Sequence, residues 1–96
     1  MIDPSTTVRR SGRATFRKLD SGASVVLHLD TTQYHGLNEV GTAIWDLTDP
    51  PRPYSELMSA LGEQLDDPPT DLEADLEAFV LALVERDLLE LVPASG

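Results

Sequence analysis

The hydrophobic pattern of the chain changes its period once, at about residue 38. Between residues 13 and 37, apolar and polar residues alternate in short runs, with the period of two that is typical of β-strands. From Asn38 onward, apolar residues recur every three or four positions, which is the period of an amphipathic helix. The change predicts elements in the order β-β-β-α-α-α within a single domain.

The sheet half of the chain contains three short runs separated by polar turns. These runs predict strands at residues 13–19, 24–29 and 34–37. Their spacing is typical of an antiparallel meander. Residues 1–12 have no periodicity and contain Pro4 and Gly12, so we predict that they form a flexible basic arm.

Proline pairs divide the second half of the chain into three helices. Asn38 is suited to cap the first helix, because its side chain can accept a hydrogen bond from the first turn. Pro50-Pro51 follows this helix and ends it, since proline lacks the backbone N–H that a helix needs. The second helix is predicted over residues 55–65, before Pro68-Pro69.

A capping-box pattern opens the third predicted helix. Thr70 and Glu73 have the S/T-x-x-E spacing, in which each side chain bonds a backbone N–H near the other residue. The helix is predicted to run to about Arg86, with a short strand over residues 88–92 and a tail at 93–96. Together these elements predict an α+β, winged-helix-like domain, a three-stranded antiparallel sheet followed by three helices.

The charge of the chain is unevenly distributed. The net charge is −10; residues 1–18 carry five bases and one acid, whereas residues 19–96 carry two bases and sixteen acids. An acidic body repels nucleic acid and anionic lipid, and it attracts cationic peptides. No apolar run approaches the roughly 20 residues of a membrane helix, and no signal segment is evident. We therefore expect no membrane partner and a cytoplasmic location.

Few residues are suited to catalysis or to metal binding. The chain has no cysteine, which excludes disulfides and thiolate metal sites. It has no P-loop, no glycine-rich dinucleotide motif and no serine elbow. His28, Asp30 and His35 are a weak candidate set of metal ligands, because a histidine in a half-buried sheet more often packs. We predict no catalytic residue, no metal and no cofactor, and keep a small metal-dependent enzyme as an alternative.

Two other protein classes share features with this chain. A winged-helix DNA-binding protein is the alternative suggested by the order of elements, but its recognition helix would need bases. Residues 70–87 carry six acids against Arg86 alone, so we predict no nucleic-acid partner. Acyl carrier proteins are also small and acidic, but they place an Asp-Ser pair at a helix start. Here Asp20-Ser21 lies in a predicted turn.

The third predicted strand offers an edge for peptide binding. Free backbone groups at Tyr34, His35 and Gly36 can pair with an added strand. The predicted opposing wall of the cleft comes from the third helix, at Leu72, Asp75, Leu76 and Phe79. Acidic residues beside the cleft would steer a peptide that contains Lys or Arg. The alternative is that Tyr34 and Phe79 belong only to the core.

The sequence of residues 34–45 resembles a known protein family. It fits the pattern Tyr-x-x-Leu-Asn-x-x-Gly-x-x-Ile-Trp that is typical of the PqqD family. The likeness extends over roughly residues 13–92. Pro53 and Asp87 depart from the family pattern, which usually has Ser or Thr at the first place and Gly at the second.

The resemblance implies a non-catalytic recognition element for ribosomally made precursor peptides. Its third strand would pair with the leader segment of a precursor, which would lie against the third helix. The chain looks most like the stand-alone recognition proteins of lasso peptide pathways. Those proteins present leaders, typically with Tyr-x-x-Pro, to a separate leader peptidase. The alternative within the family is a PqqD-type peptide chaperone that serves a radical-SAM enzyme.

Overall fold

The structure of the chain, a computed structural model, describes residues 2–64 and 71–93. In chain order the elements of this part are β1 Thr7–Arg10, β2 Ala14–Lys18, β3 Ser24–His28, β4 Tyr34–Leu37, α1 Glu39–Leu47, β5 Arg52–Pro53, α2 Tyr54–Gln64, α3 Leu72–Glu85 and β6 Leu89–Val92. The predicted fold class is confirmed, because a three-stranded antiparallel sheet precedes three helices.

The main sheet has the strand order β2-β3-β4, with both pairings antiparallel. Its strands lie within one residue of the predicted runs, because each run alternates locally between buried and exposed positions. One face packs on the helices and includes Val26, which is fully buried. β4 is an edge strand of this sheet.

The prediction of a flexible arm over residues 1–12 is wrong for residues 7–10, which form strand β1. This strand is the middle strand of a second sheet, ordered β5-β1-β6, in which Thr7 lies opposite both Pro53 and Val92. Val8 has no exposed surface and Ile2 is 5% exposed, so both belong to the core. Burial of these side chains and pairing on both sides hold the segment in place. The predicted strand at residues 88–92 is confirmed by β6.

Helix α1 begins as the sequence predicts. The Asn38 side chain accepts a hydrogen bond from the backbone N–H of Gly41 at 2.8 Å, which satisfies one free donor of the first turn. The helix ends at Leu47, before the proline pair at residues 50–51. Its inner face buries Ile44 and Trp45.

Helix α3 begins one residue after Asp71, whose side chain makes no capping hydrogen bond. The predicted capping box rests on Thr70, which lies outside the described residues, as do the predicted helix end at Leu65 and the break at residues 66–69. The helix ends at Glu85, one residue before the predicted end.

The core lies between the main sheet, the three helices and the second sheet. Its fully buried larger hydrophobic side chains are Trp45, Leu57, Leu61, Leu76, Val80, Leu83, Leu89, Val8 and Val26. Each such side chain contributes roughly 1.5 to 3 kcal/mol by leaving water. Three of them, Leu76, Val80 and Leu83, form the inward stripe of α3, so this face of the helix is fixed by packing.

Candidate functional site

The edge strand β4 has one side free of strand pairing. The backbone N–H of His28 donates to the carbonyl oxygen of Gln33 at 3.0 Å, which fixes the phase of the β3–β4 ladder. Hydrogen-bonded and non-bonded pairs alternate along an antiparallel ladder. The backbone groups of His35 therefore face β3, whereas the N–H and C=O groups of Tyr34 and Gly36 face the free side.

The segment that leads from β4 into α1 lies near the second half of α3. At one end, His35 and Arg86 line a common small pocket. Burial lowers the pKa of His35, and the nearby Arg86 guanidinium lowers this pKa further. At the other end, a Cβ atom placed on Gly41 would lie 3.0 Å from Cε2 of Phe79 and 3.3 Å from Cβ of Leu37. The segment from His35 to Gly41 therefore lies alongside the stretch from Phe79 to Arg86, which is the second half of α3 and the residue after it.

A groove of about 320 Å³ lies between the start of α1 and the first half of α3. All four predicted wall residues line it: Leu72, Asp75, Leu76 and Phe79. Leu76 is fully buried and serves the core as well as the groove. Leu72 and Phe79 are half-buried and Asp75 is exposed, so the groove offers apolar walls with a carboxylate beside them. The three predicted strand residues do not line this groove.

Sequence reasoning missed the α1 side of the groove. The additional lining residues are Asn38, Val40, Gly41, Ile44 and Leu61. Val40 is 45% exposed in the first turn of α1. A large apolar residue two positions after the capping Asn38 is the sequence signal that indicates this side of the groove. Gly41 leaves room for α3, because a Cβ atom added to it would lie only 3.0 Å from Cε2 of Phe79.

The Tyr34 side chain points away from the groove. It shares the outer face of the sheet with Leu27, its cross-strand partner, and it is 73% exposed. A second concave surface, of about 440 Å³, lies on this face and is lined by Thr15, Phe16, Arg17, Val25, Leu27 and Tyr34. The alternative that Tyr34 is a core residue is therefore wrong.

The weak candidate ligands His28, Asp30 and His35 do not gather into a metal site. His28 Nδ1 accepts hydrogen bonds from the backbone N–H groups of Asp30 and Thr31, each at 3.2 Å. Its Nε2 therefore carries the hydrogen and donates to Asp87 Oδ2 at 3.0 Å. Within residues 2–64 and 71–93, no three His, Asp or Glu side chains are arranged to hold a metal ion.

The interactions of Asp87 indicate that its partner His28 has a structural role. Its φ angle is +59°, in the left-handed region where glycine is favoured. The hydrogen bond from His28 lowers the pKa of Asp87, and the nearby Arg13 lowers it too. These interactions offset the cost of a side chain at a position where the PqqD pattern commonly has glycine.

Comparison with known proteins identifies similar sequences and structures. A family model described as coenzyme PQQ synthesis protein D (PqqD) matches residues 23–89. A solved structure, "TbiB1 in Complex with the TbiA(beta) Leader Peptide", is 32% identical with a TM-score of 0.74, over 85% of this chain and 94% of that one. No curated protein matches the sequence.

A second solved structure shows the same fold at lower identity. "Lasso peptide synthetase B1 complexed with the leader peptide" is 24% identical with a TM-score of 0.68, and the match covers 86% of this chain and 96% of that chain. Among the helices of residues 2–64 and 71–93, none has the length and hydropathy needed to cross a bilayer.

Proposed function

The chain belongs to the PqqD family, and from this premise we propose that it is a non-catalytic protein that binds the leader segment of a ribosomally made precursor peptide. One observation carries the proposal: the edge strand β4 turns the backbone groups of Tyr34 and Gly36 to its free side, beside α3. An extended peptide that pairs there adds a fourth strand to the sheet. The leader complex of the 32% identical TbiB1 supports this assignment.

Two kinds of contact would hold the peptide. Backbone hydrogen bonds to Tyr34 and Gly36 contribute roughly 0.5 to 1.5 kcal/mol each and are independent of the peptide sequence. Side chains on one face of the added strand enter the groove between α1 and α3, where Leu72 and Phe79 are half-buried. A buried anchor in such a pocket contributes on the order of 2 kcal/mol or more. The groove therefore supplies the sequence selectivity.

The pathway and the partner enzyme are part of the same proposal. The resemblance of the chain to the stand-alone recognition proteins of lasso peptide pathways favours such a pathway, in which the bound leader, with its Tyr-x-x-Pro element, is presented to a separate leader peptidase. The leader complex of TbiB1 supports the leader as the bound segment. The alternative is a PqqD-type chaperone for a radical-SAM enzyme. A neighbouring gene for a transglutaminase-like peptidase would favour the lasso peptide pathway, and a neighbouring radical-SAM gene would favour the PqqD-type chaperone.

Peptide binding to backbone-blocked variants tests the function. The probes are fluorescein-labelled TbiA(beta) leader and the leader of a short precursor encoded beside this chain, each with a scrambled control, measured by fluorescence polarisation. Gly36→Pro removes an N–H that faces the free side, so the sheet keeps its own hydrogen bonds. We expect an unchanged thermal melt and at least a tenfold loss of leader affinity.

A second variant tests the acidic side of the groove. Asp75→Ala removes an exposed carboxylate and is expected to weaken the affinity for a lysine-bearing leader about fivefold, which corresponds to about 1 kcal/mol for an exposed ion pair.

Folded Gly36→Pro protein that binds both leaders at full strength would place the peptide on another surface. Failure of the unmodified protein to bind either leader would overturn the proposed function.

A further inference from the structure

Nothing in the described part of the chain requires a glycine at position 36. Gly36 lies in β4 and has no left-handed φ angle, and a Cβ atom added to it would meet no heavy atom of residues 2–64 and 71–93 within 4 Å. Glycine in a strand costs roughly 0.5 to 1 kcal/mol relative to alanine, because it loses more conformational freedom on folding. A glycine inside a strand often marks a bulge, a tight bend or a site where another molecule approaches closely. Since the β3–β4 register is regular through Gly36, the close approach is the reading that fits this position.

The open space at Gly36 joins the concave outer face of the sheet. Across the strands, Gly36 is the partner of Val25, which in turn is the partner of Arg17. The neighbouring row on the same face consists of Tyr34 and Leu27. Gly36 therefore stands beside the 440 Å³ surface, in the same row as Val25 and Arg17, which line it.

A peptide added to β4 has two faces, and the outer one meets this surface. Side chains alternate between the faces of a strand, and directly opposed residues on neighbouring strands share a face. The peptide residue opposite Gly36 would therefore project onto the outer face, away from the groove between α1 and α3. With no Cβ in its path, its side chain can lie flat across the glycine and reach Val25.

We propose that the bound leader places a large apolar side chain, aromatic or leucine-sized, opposite Gly36 on the outer face, where it packs across the glycine against Val25 and Tyr34. The inference rests on the proposed function and adds a second specificity site to it. An aromatic side chain that covers a glycine of the adjacent strand is a known stabilising arrangement in sheets.

The surroundings of this surface select an apolar side chain rather than a cationic one. Val25 and Leu27 are half-buried, and Tyr34 is 73% exposed. The one charged lining residue is Arg17, which has no ion-pair partner among the described residues. Its charge disfavours Lys or Arg on this face. The two faces of the leader are therefore read differently, with apolar residues here and basic residues tolerated beside Asp75.

Filling the glycine position without blocking its N–H tests the inference. Gly36→Thr keeps the backbone donor and adds a side chain that suits a strand, so we expect an equal or higher melting temperature. We expect at least a fivefold loss of affinity for the labelled leader that binds the unmodified protein. Gly12→Thr is the matched control, because this exposed glycine also has open space around it, and it should bind like the unmodified protein.

The combined results separate the inference from the proposed function. If Gly36→Pro loses binding and Gly36→Thr binds at full strength, the leader pairs with β4 but leaves the outer face empty, and the inference is overturned. If neither variant loses binding, both proposals fail.

A scan of the leader identifies the residue concerned. Each leader residue is changed to serine in turn, and binding is measured to both the unmodified protein and Gly36→Thr. We expect one large apolar position whose serine variant binds the unmodified protein at least fivefold more weakly, with little further loss in Gly36→Thr, because the two changes remove the same contact. Fully additive losses at every apolar position would overturn the inference.

Discussion

Arg9 and Arg10 are neighbours in β1 whose side chains point to opposite faces of the strand. The Arg9 side chain is 51% exposed and pairs with Glu90 at 2.8 Å. The Arg10 side chain is 22% exposed, and its guanidinium lies 4.8 Å from the ring centres of both Phe16 and Trp45. Arg10 also donates to the Trp45 carbonyl oxygen at 2.9 Å, and so joins the second sheet to the main sheet and α1.

We predict that Arg10→Ala lowers the free energy of unfolding by about 2 to 3 kcal/mol. The loss combines cation–π contacts of about 0.5 to 2 kcal/mol with hydrogen bonds of about 1 kcal/mol each. Arg9→Ala is the matched control and should cost less than about 1 kcal/mol, because exposed ion pairs contribute little. Urea unfolding of both variants checks the difference. Equal losses would mean that the stacked guanidinium adds nothing beyond an exposed charge.

The elements that the sequence predicts well are those whose pattern is local. Strands β2 to β4 and helix α1 each show their own period or cap, such as Asn38, so their bounds follow from adjacent residues. β1 has one fully buried side chain, Val8, and it pairs with β6 at the far end of the chain. Such a strand has no local period, and its partners are known only from the folded topology.

The candidate site also has one part that local sequence patterns predict and one part that depends on the folded topology. The stripe of α3 predicts that Leu72 and Phe79 lie together, because helical spacing alone places them on one face. The alternation of β4 shows that Tyr34 and His35 point to opposite faces, but it does not show which face the core covers. The outer-face position of Tyr34 therefore emerges only when the helices are seen to pack on the other side of the sheet.

Two helical glycines allow the groove width to be tested. Gly41→Ala would place a Cβ atom 3.0 Å from Cε2 of Phe79, so the ring must move by a few tenths of an ångström. We predict that leader affinity falls about threefold to tenfold, because the shift narrows the groove between α1 and α3. Gly62→Ala in α2 is the control, since its Cβ meets no heavy atom of the described residues within 4 Å.

The control should raise stability by about 0.5 to 1 kcal/mol, the usual gain from replacing a helical glycine, and leave binding unchanged. Calorimetric titration with the leader and urea unfolding measure the two quantities. Gly41→Ala protein with unchanged affinity would show that the groove is not in contact with the peptide.

At the scale of the whole molecule, four of the five basic residues in positions 1–18 form ion pairs with acidic residues elsewhere in the described chain. Their ion pairs are Arg9–Glu90, Arg10–Asp49, Arg13–Asp30, Arg13–Asp87 and Lys18–Asp46. The predicted basic arm is therefore not a separate cationic patch over these residues. The net charge of −10 therefore attracts an approaching cationic peptide and repels an anionic one.

We predict that a cationic leader associates about tenfold more slowly in 500 mM salt than in 20 mM salt, because salt screens long-range attraction. The dissociation rate should change less, since it depends on contacts made at close range. Stopped-flow measurements with a leader of net positive charge and a charge-neutral variant check this. The same salt dependence for both peptides would exclude electrostatic steering.

The pairing of β1 with β6 brings distant parts of the chain together, since Thr7 lies opposite Val92. For protein engineering, this means that β1 and β6 leave their sheet side by side. Connections made next to Thr7 and Val92 therefore start from neighbouring positions, and joining them to a surface loop of a host enzyme adds little loop-closure entropy. The free edge of β4 belongs to the other sheet, so a chimera of this kind keeps β4 clear of both connections.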